Sequence, residues 1–424
     1  MSQLFSSRDG FTGANRRDFL QTSLAGVAAA GALGMNDLCA LQADELKRGG
    51  RSMILLWMQG GPSQMETFDP KPGSANGGPT TAIDTSVPGI QIAQDWPLTA
   101  QVMNDIALLR SMTNKEGEHQ RATYQMHTGY VPTGTLRHPS VGAALAKELA
   151  DKGCDLPPVV SVGPTIGSGF LGVDYEPFVV QAPGELPGNV VGRVKGPRFN
   201  RRLDLLSRLE DEFAGKGAEA QVAEHKQLYN KTRRMVLSDN VKAFEFADES
   251  EETKKLYGDS PFGKGCLLAR RLVEAGVSFI EVRSNGWDTH QDNFKQVTKL
   301  AGPVDRGMSG LITDLKQRGL LDRTLVVWMG EFGRTPKINP RTGRDHFPRA
   351  FNALMAGGGI RGGQVYGASS PDGQQVKDNP VTVQDLFATM CKSLQVDPGT
   401  ENFSPIGRPL KIVDGGKPIA SLFA

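Results

Sequence analysis

Apolar and polar residues alternate along the chain in blocks that fit short buried strands separated by amphipathic helices. The first apolar block, SMILLWM (residues 52–58), precedes the glycine-rich loop QGGPSQ, as expected for a buried strand. From residue 263 the pattern is regular: a helical segment stopped by Gly276, the strand VSFIEVR, a helical segment over residues 303–319 and the strand TLVVWM. This spacing is typical of right-handed crossovers between parallel strands.

Further segments extend the same pattern in both directions. HPSVGAALAKELADKG (residues 138–153) and TVQDLFATMCKSLQV predict helices, whereas PPVVSVG and FNALMAGGGI predict strands. Residues from about 200 to 257 are charged and helix-prone, and they predict an insertion of two or three surface helices. The fold class is therefore predicted to be α/β, with a largely parallel sheet flanked by helices on both faces of one principal domain, residues 50–424.

Composition and charge restrict the classes of function. The chain has 424 residues, of which 38% are hydrophobic and 22% are charged, as in globular proteins. A formal net charge of +2 gives no electrostatic support for nucleic-acid binding, so no nucleic-acid partner is expected. The four cysteines are far apart, which argues against a disulfide framework and against a cysteine-rich zinc site.

The N-terminal segment NRRDFLQTSLAGVAAAGALGM differs from the rest of the chain. Its twin arginine, Arg16 and Arg17, precedes a weakly apolar run rich in alanine and glycine, and it resembles a twin-arginine export signal over residues 1–43. A short core helix or anchor is the alternative, but the run is too short to span a bilayer comfortably, so no integral membrane span is expected. Export by this route predicts a periplasmic or secreted protein.

Candidate chemical groups follow the predicted strands. Ligands of open α/β sheets collect beyond the carboxyl ends of the strands, and carboxylate oxygens with imidazole nitrogens bind zinc, manganese or similar divalent ions. The candidate groups in GWDTHQDN, GEFG and GRDHF are Asp288, His290, Glu331, Asp345 and His346. The alternative is that such residues cap helices and fill turns, as Asp292 or Asn293 could at the start of a helix.

At these residues the chain resembles a known superfamily. MHTGYVPTG is similar to the Thr-Gly-x-x-Pro stretch that follows the nucleophile of sulfatases, and the position nine residues before Thr128 is His119. TLVVWMGEFG and GRDHFPRAFNALMAGGGIRGGQVYG resemble metal-binding segments of sulfatases and alkaline phosphatases. With its leader and GGPSQMETFDPKP, the chain resembles over residues 50–424 the exported domain of unknown function numbered 1501, an alkaline-phosphatase-like group.

The resemblance implies a metal-dependent hydrolase of sulfate or phosphate esters. Its cofactor would be a divalent metal, with zinc or manganese most plausible, and its substrate a small-molecule or polysaccharide ester. By position, Asp288, His290 and His346 would hold one metal, and Glu331 would hold or bridge a second. His119 stands at the nucleophile position, where it could act as nucleophile, general base or metal ligand.

The resemblance also suggests supporting roles. Arg121 or Arg334 could pair with oxyanion oxygens through a bidentate fork. Asp345 is expected to orient His346 or its loop rather than bind metal. Ser63 is a substitute nucleophile, with satisfaction of local backbone donors as the alternative.

Three positions depart from the superfamily pattern. His119 stands at the nucleophile position, which has neither serine, threonine nor cysteine. Gln59 stands where the first strand normally ends in a metal-binding aspartate, and Phe332 stands where a histidine or asparagine is expected. These departures leave a second functional class open, a non-catalytic binding or assembly protein that retains the fold.

Overall fold

The structure, a computed structural model, describes residues 50–151, 153–188, 190 and 197–423. The predicted export signal lies outside the described residues. Among the helices of this described part, none combines the length and apolar character needed to cross a membrane.

The described part of the chain contains nine α-helices and sixteen strands. The α-helices are α1 (Pro97–Gln101), α2 (His119–Thr128), α3 (Val141–Leu149), α4 (Pro197–Phe213), α5 (Glu219–Leu237), α6 (Glu251–Tyr257), α7 (Pro261–Glu274), α8 (Asn293–Gln317) and α9 (Val383–Ser393). The strands are β1 (Ser52–Gln59), β2 (Ala82–Asp84), β3 (Gln91–Ala93), β4 (Ile106–Met112), β5 (Val159–Val162), β6 (Phe178–Val180), β7 (Phe279–Asn285), β8 (Thr324–Met329), β9 (Gly333–Arg334), β10 (His346–Phe347), β11 (Phe351–Ala356), β12 (Gln364–Tyr366), β13 (Ala368–Ser369), β14 (Val376–Asp378), β15 (Glu401–Phe403) and β16 (Pro409–Lys411).

The central sheet has eight strands in the order β12-β4-β11-β8-β1-β7-β5-β6. Strand β1 lies between β7 and β8 and is parallel to both, so that Ile54 faces Ile280 on one side and Val326 on the other. Strand β11 is antiparallel to both of its neighbours and runs against the other strands of this sheet. The predicted α/β class with a largely parallel sheet is confirmed.

The period of two in β1 divides the core between the two faces of the sheet. Ile54 and Leu56 pack in one apolar cluster with residues of α7 and α8, whereas Met53 and Leu55 pack in another with residues of α3 and α9. All four side chains are fully buried. A strand buried on both faces must be apolar at every position, which explains the continuous run in its sequence.

Helix α8 is longer than the pattern over residues 303–319 predicted, because it begins at Asn293 and contains Pro303. Pro303 lies on the exposed face, where water can satisfy the carbonyl oxygen that the missing N–H leaves without a donor. Asp292 occupies the N-cap position but makes no side-chain capping bond there.

The segment between residues 197 and 257 contains α4, α5 and α6. Helices α4 and α5 form an antiparallel hairpin through a turn at residues 214–218, with Glu210 bonded to His225 and Asp211 to Lys226. Residues of α5 line a pocket together with residues 154–158, which enter β5, so the hairpin lies near the amino-terminal end of this strand, whereas the candidate residues follow the carboxyl ends of the strands parallel to it.

Candidate metal centre

The carboxyl ends of β1, β7 and β8 lie side by side and carry candidate residues. Gln59 at the end of β1 pairs with Asn285 at the end of β7, three residues before Asp288. The loops after these strands approach closely at Gly60, where a Cβ atom would lie 2.4 Å from the backbone nitrogen of Asp288. The backbone torsion φ of Gly60 is +118°, which also favours glycine.

Two short elements bring the remaining histidines to this edge. Strand β10 pairs with β9 so that His346 lies opposite Arg334. His119 is the first residue of α2, which begins there because the Glu118 side chain accepts hydrogen bonds from the backbone N–H groups of Gln120 and Arg121.

One carboxylate oxygen lies at the centre of the cluster. Asp288 Oδ1 is 3.1 Å from Nε2 of His290, 3.2 Å from Nε2 of His346 and 3.3 Å from Nε2 of His119. The Nε2 atoms of His290 and His346 are 3.0 Å apart. The structure therefore brings together four of the predicted site residues, although they are far apart in the sequence.

The other ring nitrogen of each histidine identifies its tautomer. Each Nδ1 atom faces an oxygen, and the three pairs are His119 with Glu331 Oε1 at 2.7 Å, His290 with Asp345 Oδ1 at 2.7 Å and His346 with the Gly117 carbonyl at 2.8 Å. Carboxylate and carbonyl oxygens only accept, so each Nδ1 carries the proton. In the neutral rings, each Nε2 therefore presents a lone pair.

This arrangement is unfavourable for neutral rings alone but suits a cation. Lone pairs of His290 and His346 face one another and the Asp288 carboxylate, and Nε2 of His119 is buried without a hydrogen-bond partner among the described residues. Ligands of a tetrahedral zinc ion with bonds of about 2.0–2.1 Å lie roughly 3.3 Å apart. The distances from Asp288 Oδ1 to the three Nε2 atoms are close to this value, whereas the three groups that all lie within 4.8 Å of one another are His119, Asp288 and His346. Histidine ligands of metals also donate their other N–H to a carboxylate or carbonyl, as all three do here.

The electrostatics of the cluster favour an anionic aspartate. Burial alone would raise the pKa of Asp288, but the hydrogen bond from Arg334 and the neighbouring positive charges outweigh it and lower the pKa to about 2. Burial lowers the pKa of His346, which keeps this ring neutral. The hydrogen bond to Glu331 raises the pKa of His119, so this ring takes up a proton more readily, and a metal ion at its Nε2 atom would compete with that proton.

Glu331 supports the cluster from a fully buried position. Its Oε1 atom accepts from the Gln59 amide at 3.1 Å and from the Gly60 backbone N–H at 2.9 Å, as well as from His119. Within the described part of the chain, the one group of three or more potential ligands within mutual reach comprises His119, Asp288 and His346. A second metal held by Glu331 therefore stays a prediction without a ligand set around it.

Arg334 is buried and holds the loops together. Its guanidinium donates to Asp288 Oδ1 at 2.6 Å, to the Gly61 carbonyl at 2.8 Å, to the Arg344 carbonyl at 3.2 Å and to the Gly60 carbonyl. The side chain is fully buried, so this geometry fits a clamp on Asp288 better than the predicted contact with a substrate oxyanion.

The other predicted residues lie in different settings. Asp345 contacts His290 rather than His346, and this hydrogen bond lowers the pKa of the Asp345 carboxyl. Arg121 forms a bidentate pair with Glu116, with both contacts at 2.8 Å. Ser63 is fully buried, which leaves its hydroxyl poorly placed for attack on a substrate.

Sequence analysis did not identify the carbonyl of Gly117 or the amide of Asn339 as parts of the site. Asn339 donates to the His290 carbonyl at 2.9 Å and to Asp345 Oδ1 at 3.2 Å. It thus holds both partners of the contact between His290 and Asp345. Neither residue has a sequence signal, because a backbone oxygen belongs to every residue and asparagine is common in turns.

The family model described as "Protein of unknown function (DUF1501)" matches residues 50–423. Among curated proteins, no match was found.

Several solved structures are similar at low sequence identity. The lipoteichoic acid synthase LtaP from Listeria monocytogenes is 11% identical, with a TM-score of 0.38 over 83% of this chain and 74% of that one. The PsFucS1 sulfatase from Pseudoalteromonas sp. is 14% identical, with a TM-score of 0.38 over 85% and 70%. The phosphonate monoester hydrolase SpPMH from Silicibacter pomeroyi is 12% identical, with a TM-score of 0.40 over 87% and 76%. Similarity this distant assigns no activity to the chain.

Proposed function

The chain belongs to the DUF1501 family, and we propose that it is a metal-dependent hydrolase of sulfate or phosphate esters. The observation that carries this proposal is the convergence of three imidazole Nε2 atoms on Asp288 Oδ1 within 3.3 Å. A bound zinc or similar ion would polarise an ester oxygen or activate a water molecule. The proposed ligands are His119, Asp288, His290 and His346.

His119 is proposed as a ligand rather than a nucleophile. Its Nδ1 atom is held by Glu331 at 2.7 Å, and its Nε2 atom lies 3.3 Å from Asp288 Oδ1 without a hydrogen-bond partner among the described residues, so the Nε2 lone pair would be directed at the bound ion. A nucleophile requires a lone pair directed at the substrate. Activated water as the attacking group would also explain why the buried Ser63 is not needed.

The second candidate function is a non-catalytic metal-binding protein. The burial of Ser63 and the direction of the His119 Nε2 atom toward Asp288 favour it, because no side chain is then left as an evident nucleophile. The two candidates share the metal centre and differ in whether a bound ester is cleaved.

Metal analysis combined with ester hydrolysis tests the proposal. We expect the purified chain to contain about one zinc or manganese ion and to hydrolyse aryl phosphates or aryl sulfates. A strong chelator should abolish this hydrolysis, and the same metal should restore it. Bound metal without hydrolysis of either ester class would favour the binding protein, whereas a chain that takes up no divalent ion would exclude both candidates.

Replacement of Glu331 by glutamine should weaken metal binding by about 10- to 100-fold without removing a proposed ligand. The neutral amide attracts the Nδ1–H of His119 less strongly than the carboxylate does, so the ring is less well oriented and its Nε2 less basic. Competition with a chromogenic chelator measures the change. Glu252→Gln is the matched control, since Glu252 is exposed on α6 and distant in sequence from the proposed ligands. Equal metal affinity in Glu331→Gln and this control would contradict the supporting role of Glu331.

A further inference from the structure

The outer face of α4 exposes large apolar side chains. Leu205, Leu209 and Phe213 are 59%, 56% and 60% exposed, and they follow one another at intervals of four residues on one side of the helix. The opposite side of α4 packs against α5 within the hairpin. Aligned apolar residues of this size are unusual on a surface that faces only water.

Four exposed charged residues on the same face are divided by sign along the helix, and the exposed Arg208 lies at the edge of this face. Arg198, Arg201 and Arg202 lie in its first two turns and Glu212 in its last, and all four are exposed. Within the ranges that the structure describes, neither Arg202 nor Glu212 has an ion-pair partner. By contrast, the acids on the inner side of α4 bond to α5.

The helical period puts these charges in line with the leucines. Arg202 is three residues before Leu205, and Glu212 is three residues after Leu209, so the four residues form one continuous stripe. If two copies of α4 pack antiparallel about a two-fold axis between the leucines, Leu205 of one copy lies beside Leu209 of the other. Arg202 of each copy then lies beside Glu212 of the other.

We propose that α4 forms a homodimer interface in which two copies of this helix pack antiparallel. The stripe is complementary to itself only in this orientation, because parallel packing would place the basic ends together. A two-fold axis makes every contact twice, so one Arg202–Glu212 contact becomes two ion pairs. The helix dipoles are also antiparallel in this arrangement, which favours it further. This proposal is independent of the function proposed for the metal centre.

The size of the interface predicts a weak dimer. A helix of 17 residues is about 26 Å long. One helix pair of this length buries an area near the lower limit for specific protein interfaces. We therefore expect a dissociation constant in the range of roughly 1–100 μM. Sedimentation velocity of the full-length chain over this concentration range measures it.

Charge exchange tests the proposed pairing. Arg202→Glu and Glu212→Arg should each raise the dissociation constant by at least about tenfold, because each places like charges together twice. The double variant Arg202→Glu/Glu212→Arg restores opposite charges and should return the constant to within about threefold of the original. Lys299→Glu, an exposed change of the same kind on α8, is the control and should have no effect.

The double variant distinguishes a specific interface from a change in folding or net charge. Its recovery would support the antiparallel pairing, since a damaged hairpin would not be repaired by a second substitution. A chain that is monomeric throughout the concentration series would overturn the proposal. A dimer whose dissociation constant changes in neither single variant would also overturn it. The same holds for a dissociation constant that the double variant fails to restore.

Discussion

Replacement of both His290 and His346 by alanine should abolish metal binding and, with it, ester hydrolysis. The two Nε2 atoms are 3.0 Å apart and both face Asp288 Oδ1, so the variant loses half of the proposed ligand set at once. Two ligands do not hold zinc against water and buffer, and we expect the affinity to fall by more than about a thousandfold. Both side chains are partly exposed, so the fold should tolerate the change.

The measurement is the metal content of the purified variant together with its affinity by chelator competition. His225→Ala is a control for loss of an imidazole, because His225 lies on the hairpin and is half-exposed. Circular dichroism of the variant verifies that the sheet is intact. Retention of a full equivalent of metal by a folded double variant would mean that the ion binds elsewhere, and the proposed centre would then be wrong.

The position of the site could be predicted from sequence because it follows from two local patterns. Runs such as SMILLWM and TLVVWM are apolar at every position after the first, which identifies strands buried on both faces. The residues immediately after such strands lie at the carboxyl edge of the sheet, where loops such as the one carrying Asp288 meet. These rules need only the order of residues along the chain.

The roles within the site could not be predicted in the same way. Whether a carboxylate contacts a metal or a histidine depends on a displacement of a few ångströms, which no spacing in the sequence encodes. The prediction of Glu331 as a ligand, for example, contained nothing of the contacts that its Oε1 atom makes with His119 Nδ1 and the backbone N–H of Gly60. The antiparallel orientation of β11 could not be predicted either, because the apolar pattern of FNALMA is the same whether the strand runs parallel or antiparallel to its neighbours.

Contacts distant in sequence were also beyond prediction, and one of them supports the metal centre directly. Arg344 and Glu66 are 278 residues apart, yet they form a buried bidentate ion pair with contacts of 3.0 and 2.8 Å. Arg344 also donates to the backbone carbonyls of Thr335 and Asn76. Because Asp345 is the next residue in the chain, this pair fixes the segment that carries part of the site.

Replacement of Arg344 by methionine should destabilise the protein by about 3–5 kcal/mol, because Glu66 is left as a buried charge without its cation. Glu66 is 2% exposed, and the remaining donors to its carboxylate are the neutral groups of Asn293 and Thr80. Urea denaturation followed by tryptophan fluorescence measures the free energy of unfolding. Arg349→Met is the control, since Arg349 is exposed on the same segment.

The double variant Glu66→Leu/Arg344→Met separates the buried charge from the lost packing. Removal of both partners leaves no unpaired charge, so we expect the double variant to be more stable than Arg344→Met alone. Its metal affinity should remain low, because the segment with Asp345 and His346 has lost its anchor in both variants. Recovery of stability without recovery of metal affinity would show that the ion pair positions the site. If Arg344→Met bound metal as tightly as its control, the pair would have no such role, and the position of His346 would have to depend on its β9–β10 pairing and on its hydrogen bond to the Gly117 carbonyl.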